Sequence, residues 1–276
     1  MVDVDCYNCG SKIHAFYASE NGCNLVKCLG CGLLYVSPRP SPEEITQANK
    51  YGIHQGEKDL KVTKTFRKFK INKNIRVLQD IFGAELTLGE KKWLDIGCGY
   101  DEFIIALHTV SENHIKAKGL EPNIIKQNRA QKLGLDISYF DLDNHTTQYD
   151  FISLLNVYSH LQDPVTELSR WKHLLKDGGE LLLETGDTAN LESKDHYRPF
   201  NLPDHLSFAS EEIVVSILKK AGFTIKDIKK YSPFHISPGL IAKEIIKIFW
   251  PTKISQLKYF FNGYTTDMYI RAKLVS

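Results

Sequence analysis

The chain has 276 residues, of which 42% are hydrophobic and 25% are charged. This composition supports a substantial buried core and excludes an intrinsically disordered chain. No apolar run reaches the roughly 20 residues of a membrane-spanning helix, and the N-terminus lacks a signal-peptide pattern, so we expect a cytoplasmic protein without a transmembrane segment.

The net charge of +2 conceals an uneven distribution. Residues 57–82 carry a net +5 and residues 224–276 a net +6, whereas residues 83–223 carry −8. An acidic centre between basic flanks favours a cationic or polar ligand in the centre and an anionic partner nearby. The alternative is that the lysines only solvate helix faces.

A cysteine pattern marks the first 41 residues as a separate unit. Its spacing is C-x2-C-x18-C-x2-C, formed by Cys6, Cys9, Cys28 and Cys31. This spacing is typical of zinc sites, in which two tight knuckles close a tetrahedron of thiolates. Four thiolates leave no open position on the metal, so the predicted ribbon is structural.

Two other interpretations of the cysteines are weaker. Disulfides are disfavoured in a reducing compartment, and a thioredoxin-like pair requires a strand and helix that are missing here. Cys23 is left as a spare thiol, and its closeness to Cys28 makes it an alternative ligand. Zinc ribbons often bind nucleic acid, but residues 1–56 have a net charge of −1, which weakens that interpretation.

The segment 42–89 is predicted to connect this ribbon to the main domain. Prolines between residues 37 and 42 stiffen the junction, and a helix is expected to begin at Pro42. Residues 57–82 place apolar side chains at helical intervals among basic ones, which indicates a basic amphipathic helix.

The remaining residues, 90–276, alternate between strand and helix patterns. Strands are predicted at 92–96, 116–121, 137–140, 150–155 and 180–184, and helices at 101–111, 123–133, 163–175 and 211–221. Two further strands are expected at 224–231 and 266–275. This order indicates an α/β fold with a doubly wound, mostly parallel sheet and a ligand site at the carboxyl ends of its strands.

The first of these strands runs directly into a glycine loop. Gly97 and Gly99 would allow close approach of a ligand to the backbone. A dinucleotide fingerprint would place its third glycine at position 102, where Glu102 follows Asp101. Two carboxylates there would repel a pyrophosphate, so a cationic cofactor without phosphate, such as S-adenosylmethionine, fits better.

Acidic residues after the next two strands support the same cofactor. Glu121 ends the second strand, where a carboxylate can accept hydrogen bonds from both ribose hydroxyls. Asp141 follows the third strand and is expected to face the adenine edge, with Leu142 beside it. Each signal alone is weak, but their order and spacing together are specific.

These motifs resemble the Rossmann-like S-adenosylmethionine-dependent methyltransferases. The resemblance covers residues 90–223 and rests on Leu-Asp-Ile-Gly-Cys-Gly, on Gly-Leu-Glu-Pro and on the segments 149–156 and 175–184. It implies seven strands, the last antiparallel. It also implies a cofactor site at Asp95, Gly97, Cys98, Gly99, Glu121, Pro122, Asp141, Leu142 and Asn156. Asp101 departs from the family pattern, which has a glycine there, and could narrow the methionine pocket.

The overall layout is similar to a narrower group of these enzymes. The ribbon, the Tyr-Val-Ser-Pro-Arg-Pro-Ser motif at 35–41 and the Pro-Asp-His-Leu-Ser-Phe segment at 203–208 resemble sugar C-methyltransferases and polysaccharide-cluster methyltransferases. The resemblance implies that His205 is the general base, and the adjacent Asp204 is expected to orient it. A loop histidine bonded to the backbone is the alternative.

A second histidine follows the fourth strand. His160 and Tyr158 are expected as secondary substrate contacts or as structural residues at a helix start. Relatives usually carry Glu where Ser159 stands, which argues against the metal-binding role that this region has in some of them. Residues 233–263 are expected to form a helical cap over the site, and weak contact with a membrane surface is the alternative.

The sequence therefore predicts a zinc-ribbon methyltransferase. It would methylate oxygen or carbon of a small anionic substrate, a nucleotide-linked sugar or glycan precursor. An RNA methyltransferase that grips nucleic acid through the ribbon is one alternative, and a non-catalytic cofactor-binding subunit is another. The sequence gives no indication of the oligomeric state.

Overall fold

The computed structural model describes residues 1–51, 68–132, 134–139, 142, 144–232, 263 and 265–275. Three predictions fall outside these residues: the start of the basic helix at 57–67, the position of Asp141 and, apart from Gly263, the cap at 233–263. Among the described residues, none of the helices has the length and hydropathy that crossing a bilayer requires.

The larger sheet of the described chain has seven strands. They are β4 (Lys91–Ile96), β5 (Ile115–Glu121), β6 (Ile137–Tyr139), β7 (Tyr149–Leu155), β8 (Leu175–Gly186), β10 (Phe223–Tyr231) and β11 (Asp267–Leu274). Their spatial order is β10-β11-β8-β7-β4-β5-β6. The strands from β8 to β6 run parallel, and β11 is antiparallel to both of its neighbours. The predicted seven-stranded sheet with an antiparallel last strand is confirmed.

Helices connect these strands and cover the sheet. They are α1 (Pro42–Tyr51), α2 (Lys68–Phe82), α3 (Glu102–Val110), α4 (Ile124–Gln131), α5 (Pro164–Trp171) and α6 (Glu211–Lys220). Asn123 and Asp163 cap α4 and α5 by accepting backbone N–H groups of the first turn. The helix predicted at 163–175 is shorter than expected, because a 3-10 turn follows Trp171 and Leu175 already pairs with Tyr149 in the sheet.

A buried aromatic cluster in the sheet is connected by hydrogen bonds to the strand end where the ligand site begins. Trp93 of β4 stacks on Phe151 with ring centroids 4.6 Å apart, and it is fully buried. Its indole N–H donates to Ser153 Oγ at 2.9 Å, and Ser153 in turn donates to Asp95 Oδ1. A hydrogen-bond chain thus connects the core to Asp95, at the carboxyl end of β4.

The second sheet joins the N-terminal lobe to the rest of the chain. It is antiparallel, in the order β1 (His14–Glu20), β2 (Cys23–Cys28), β3 (Leu34–Val36) and β9 (Ser207–Phe208). The first three strands come from residues 1–41, and the fourth comes from the segment that carries the predicted catalytic histidine. The lobe and the main domain also share one cluster of buried hydrophobic residues. Sequence analysis did not predict this pairing.

Breaking the hydrogen-bond chain from Trp93 to Asp95 is expected to lower the stability of the protein. Replacing Ser153 with alanine leaves the Trp93 N–H buried without an acceptor and removes the donor to Asp95. We expect the free energy of unfolding to fall by about 1–3 kcal/mol, measured by urea denaturation. Ser169→Ala is the matched control, because this exposed serine bonds only within α5, and a change within about 0.5 kcal/mol is expected. Equal changes in the two variants would contradict the account.

Candidate active site

The glycine loop after β4 brings backbone close to the neighbouring strands. Gly97 has φ +73°, and a Cβ atom there would lie 2.4 Å from Val157 Cγ2, so only glycine fits. Its N–H donates to the carbonyl of Leu120 in β5 at 2.7 Å. Gly99 has φ +63° and open space where a Cβ would stand. The loop is therefore anchored at Gly97 and open to a ligand at Gly99.

Glu121 connects the ends of β4 and β5. Its carboxylate accepts the Gly99 N–H at 2.7 Å and the Asn123 N–H at 2.9 Å. Burial raises the pKa of this carboxyl group, while the Lys126 ammonium, 3.9 Å away, and the two amides oppose that rise. Glu121 therefore organises the loop and leaves acceptor capacity for hydroxyl groups of a ligand.

Two aspartates make the loop acidic. Burial raises the pKa of Asp95 to about 8, although its bond from Ser153 opposes the rise. Burial also raises the pKa of Asp101 to about 7, with further contributions from the charges of Glu121 and Glu102. Neither carboxylate oxygen of Asp101 has a hydrogen-bond partner among the described residues. Such a pocket favours a cationic ligand and disfavours a phosphate.

The other predicted cofactor residues lie along the same strand ends. Cys98 is buried, and a Cβ on Gly119 of β5 would lie only 2.6 Å from its Sγ. Leu142 is buried and Pro122 is half-buried. Asn156 is exposed, adopts φ +58° and donates its backbone N–H to Glu184. These positions agree with the predicted location, and a contact of each with cofactor stays a prediction.

The two predicted histidines lie against each other. The His160 and His205 rings have centroids 4.8 Å apart and meet edge to face. His160 Nδ1 lies 2.8 Å from the Asp204 carbonyl oxygen and 3.2 Å from Asp204 Oδ1. The carboxylate of Asp204 pairs with His160, which the turn after β7 brings beside it. The charge of Asp204 and the Phe200 backbone also act to raise the pKa of His205. That Asp204 orients His205 stays a prediction.

The pKa values of the two histidine rings shift in opposite directions. Burial and, to a lesser degree, the charge of His160 lower the pKa of His205 to about 4. Burial also acts to lower the pKa of His160, but the hydrogen bonds and charge of Asp204 outweigh it and raise that pKa. His205 is therefore neutral at physiological pH, with a ring nitrogen able to accept a proton.

Tyr158 lies against the N-terminal lobe. Its side chain is fully buried, and its hydroxyl lies 3.3 Å from that of Tyr7 in the lobe. The Tyr7 hydroxyl also donates to Ser207 Oγ at 3.0 Å. These contacts favour the structural alternative for Tyr158, and a contact with substrate stays a prediction.

The histidine pair and the acidic loop form one site. The charge of His160 acts to lower the pKa of Glu121, and the charge of Lys126 acts to lower that of His160. Lys126 was missed by sequence analysis, although its place one turn into the helix after Glu121 could have indicated it. Methyl transfer to a hydroxyl group or a carbon acid requires a cofactor site and a base close together.

Comparison with known proteins identifies the family. A family model described as a methyltransferase domain matches residues 66–228, more than half of the chain. The chain belongs to this methyltransferase family. It is an S-adenosylmethionine-dependent methyltransferase, and its open glycine loop and acidic carboxyl groups fit that cationic methyl donor.

Curated relatives of this methyltransferase are named as O-methyltransferases. The ubiquinone biosynthesis O-methyltransferase of Dinoroseobacter shibae is 32% identical over 102 residues, which cover 33% of this chain and 40% of that protein. The Xylella fastidiosa (strain M23) enzyme of the same name is 24% identical over 183 residues, covering 59% and 74%. The chain thus matches less than half of the first relative's length.

Solved structures show the same fold at low identity. The [4+2]-cyclase SpnF has a TM-score of 0.52 and 18% identity, with 84% of this chain and 91% of that chain covered. A SAM-dependent methyltransferase from Archaeoglobus fulgidus has a TM-score of 0.51 and 19% identity, with 74% and 94% covered. Because one neighbour is a cyclase, the fold alone does not specify the reaction.

The role of Glu121 can be tested by calorimetry. Glu121→Ala removes the acceptor for Gly99 and Asn123 and the carboxylate expected to bind the ribose. We expect the affinity for S-adenosylmethionine to fall about tenfold or more. Glu90→Ala, which changes an exposed carboxylate paired with Lys116, should leave the affinity unchanged. Equal affinity in Glu121→Ala and the wild type would contradict the assignment of the cofactor site.

Proposed function

We propose that this methyltransferase methylates an oxygen or carbon atom of a small anionic substrate, a nucleotide-linked sugar or glycan precursor. The observation that carries the proposal is the neutral His205, packed against His160, whose charge acts on Glu121 of the proposed cofactor site. In this proposal the pair provides a proton acceptor for the substrate of the methyl donor. The sugar class itself rests on the resemblance of the ribbon and of segment 203–208 to sugar enzymes.

In this proposal the chain's own residues accept a proton, position the base and limit the access of water. S-adenosylmethionine, when bound, supplies a methyl group activated by a sulfonium centre. His205 accepts the proton that the substrate's hydroxyl or carbon acid releases as its bond to the methyl group forms. Asp204 and His160 keep the His205 ring fixed, and its partly buried setting limits the access of water to the base.

The charges around the site support an anionic substrate. Lys126 lies within electrostatic reach of both Glu121 and His160, between the two halves of the site. A phosphate-bearing substrate would find complementary charge at Lys126. The names of the curated relatives favour a second candidate, an acceptor of ubiquinone biosynthesis, which needs the same base.

A methyl-transfer experiment separates these candidates. The protein is incubated with methyl-labelled S-adenosylmethionine and a cell extract, and the label is traced by fractionation. We expect label in the nucleotide-sugar or glycan fraction. Label in the quinone fraction would favour the second candidate, and label in RNA would contradict the small-molecule assignment.

His205→Ala is the decisive variant in that experiment. We expect turnover to fall about 10²- to 10⁴-fold, with affinity for S-adenosylmethionine unchanged. His114→Ala, which changes an exposed histidine at the opposite edge of the sheet, is the control. Because His205 is neutral above a pKa of about 4, kcat at saturating S-adenosylmethionine should stay level as the pH falls from 7 to 5.5. A loss of activity centred near pH 6.5 would contradict this assignment of the base.

We further propose that the N-terminal lobe is a zinc ribbon. Sγ atoms of Cys6, Cys9, Cys28 and Cys31 all lie within 4.8 Å of one another, and the pairs Cys6–Cys31 and Cys9–Cys28 are 3.5 Å apart. Tetrahedral Zn²⁺ with Zn–S bonds of about 2.3 Å places its sulfurs about 3.8 Å apart. These sulfurs therefore fit one zinc ion.

The backbone around the sulfurs supports the same proposal. Amide N–H groups of Asn8 and Cys9 point at the Cys6 sulfur, as those of Gly30 and Cys31 do at Cys28. Such bonds stabilise the thiolates that a metal requires. In this proposal His160 and His205 keep their role as a proton-transfer pair, and the metal only maintains the ribbon.

Metal analysis tests the ribbon directly. The wild-type chain should contain one zinc per molecule, and Cys28→Ser should lose it and unfold at a lower temperature, because metal binding supplies folding free energy. Cys23→Ala is the control, since Cys23 is buried in β2 and is not among the four sulfurs. It should keep its zinc. A zinc-free wild-type protein with an intact ribbon would contradict the proposal.

A further inference from the structure

Asp101 combines three unfavourable features in one residue of the glycine loop. It adopts the left-handed conformation with φ +67°, where a non-glycine residue is strained. It stands directly before α3, yet its side chain makes no capping bond to that helix. It is also 0% exposed, so an unpartnered carboxyl group is removed from water at considerable cost.

The other acidic groups of the loop already have partners. Asp95 accepts a hydrogen bond from Ser153, and Glu121 accepts two backbone N–H groups. The Cys98 thiol lies beside Asp101 but is a weak donor, and both carboxylate oxygens of Asp101 lack a hydrogen-bond partner among the described residues. Asp101 thus retains both acceptor oxygens in the loop that holds the cofactor.

We propose that Asp101 binds the ammonium group of the methionine half of S-adenosylmethionine. The inference rests on the proposed cofactor site. That cofactor carries two cationic centres, a sulfonium and an ammonium. Only the ammonium has N–H donors, and it can satisfy both carboxylate oxygens, whereas a sulfonium donates no hydrogen bond. In the free protein the buried Asp101 carboxyl group is destabilising, and hydrogen bonds from the bound ammonium group offset that free energy.

This role explains why an aspartate replaces a small, strain-free residue. Burial raises the pKa of Asp95 to about 8, so that carboxyl group favours its neutral form at physiological pH. A neutral Asp95 held by Ser153 recognises a cation weakly. Asp101 has a lower pKa, about 7, and uncommitted oxygens, so it ionises more readily than Asp95, and a bound ammonium favours its charged form.

Calorimetry with three compounds tests the assignment. S-adenosylmethionine has both cations, S-adenosylhomocysteine keeps only the ammonium, and 5′-methylthioadenosine lacks both. In Asp101→Asn, which keeps the shape and removes the charge, affinity for the first two should fall by a similar factor, about 10- to 100-fold. Affinity for 5′-methylthioadenosine should stay within about twofold. Asp177→Asn, at an exposed position in β8, should change none of the three.

Stability of the ligand-free protein gives a second readout. Asp101→Gly removes both the buried carboxyl group and the strain at φ +67°, so the free protein should melt at a higher temperature than the wild type. Its thermal shift on adding S-adenosylmethionine should be smaller than that of the wild type. A lower melting temperature for the free variant would mean that Asp101 stabilises the fold, which would overturn the proposal.

The remaining outcomes are equally distinct. A fall in affinity for S-adenosylmethionine alone would place Asp101 at the sulfonium and overturn the ammonium assignment. An equal fall for all three compounds would show that Asp101 only shapes the loop, which also overturns it. Unchanged affinities in Asp101→Asn, with tight wild-type binding, would overturn this inference alone. A wild-type chain that binds none of the compounds would contradict the cofactor site itself.

Discussion

The pairing of β3 (Leu34–Val36) with β9 (Ser207–Phe208) is the constraint on which the active site depends. Leu34 pairs with Phe208 and Tyr35 with Ser207, and the Val36 N–H donates to the Leu206 carbonyl at 2.9 Å. This ladder places the segment carrying His205 in the sheet of the N-terminal lobe. The lobe thus helps to position the proposed base His205, which gives it a role without nucleic acid.

A second contact joins the same segment to the methyltransferase sheet. The Leu206 N–H donates to the Ser159 carbonyl at 2.7 Å, in the turn that follows β7. One residue of the segment therefore bonds to the lobe on one side and to the turn with His160 on the other. This double attachment brings the two histidine rings together. Their proximity therefore follows from backbone hydrogen bonds at Leu206.

The sequence predicted the parts of the molecule whose signals are local. The strand before Gly97, the glycine loop and Glu121 are adjacent or separated by one β–α unit, so pattern and spacing located them. The strand β9 has two residues and pairs with a partner more than 170 positions earlier, and no local pattern indicates such a contact. The same reason explains why the contact of Asp204 with His160 was not predicted: tertiary packing, not sequence proximity, brings His160 beside it.

Native-state hydrogen exchange at low denaturant tests the role of the lobe most directly. It measures the free energy at which each amide opens. The amide of Val36 reports the ladder between the lobe and the segment, that of Leu206 reports the segment, and that of Trp93 reports the core of the larger sheet. The account predicts that Val36 and Leu206 open together, with the same denaturant slope and below the opening energy of Trp93. If Leu206 stays protected after Val36 has opened, the segment holds its own position and the lobe does not place the base.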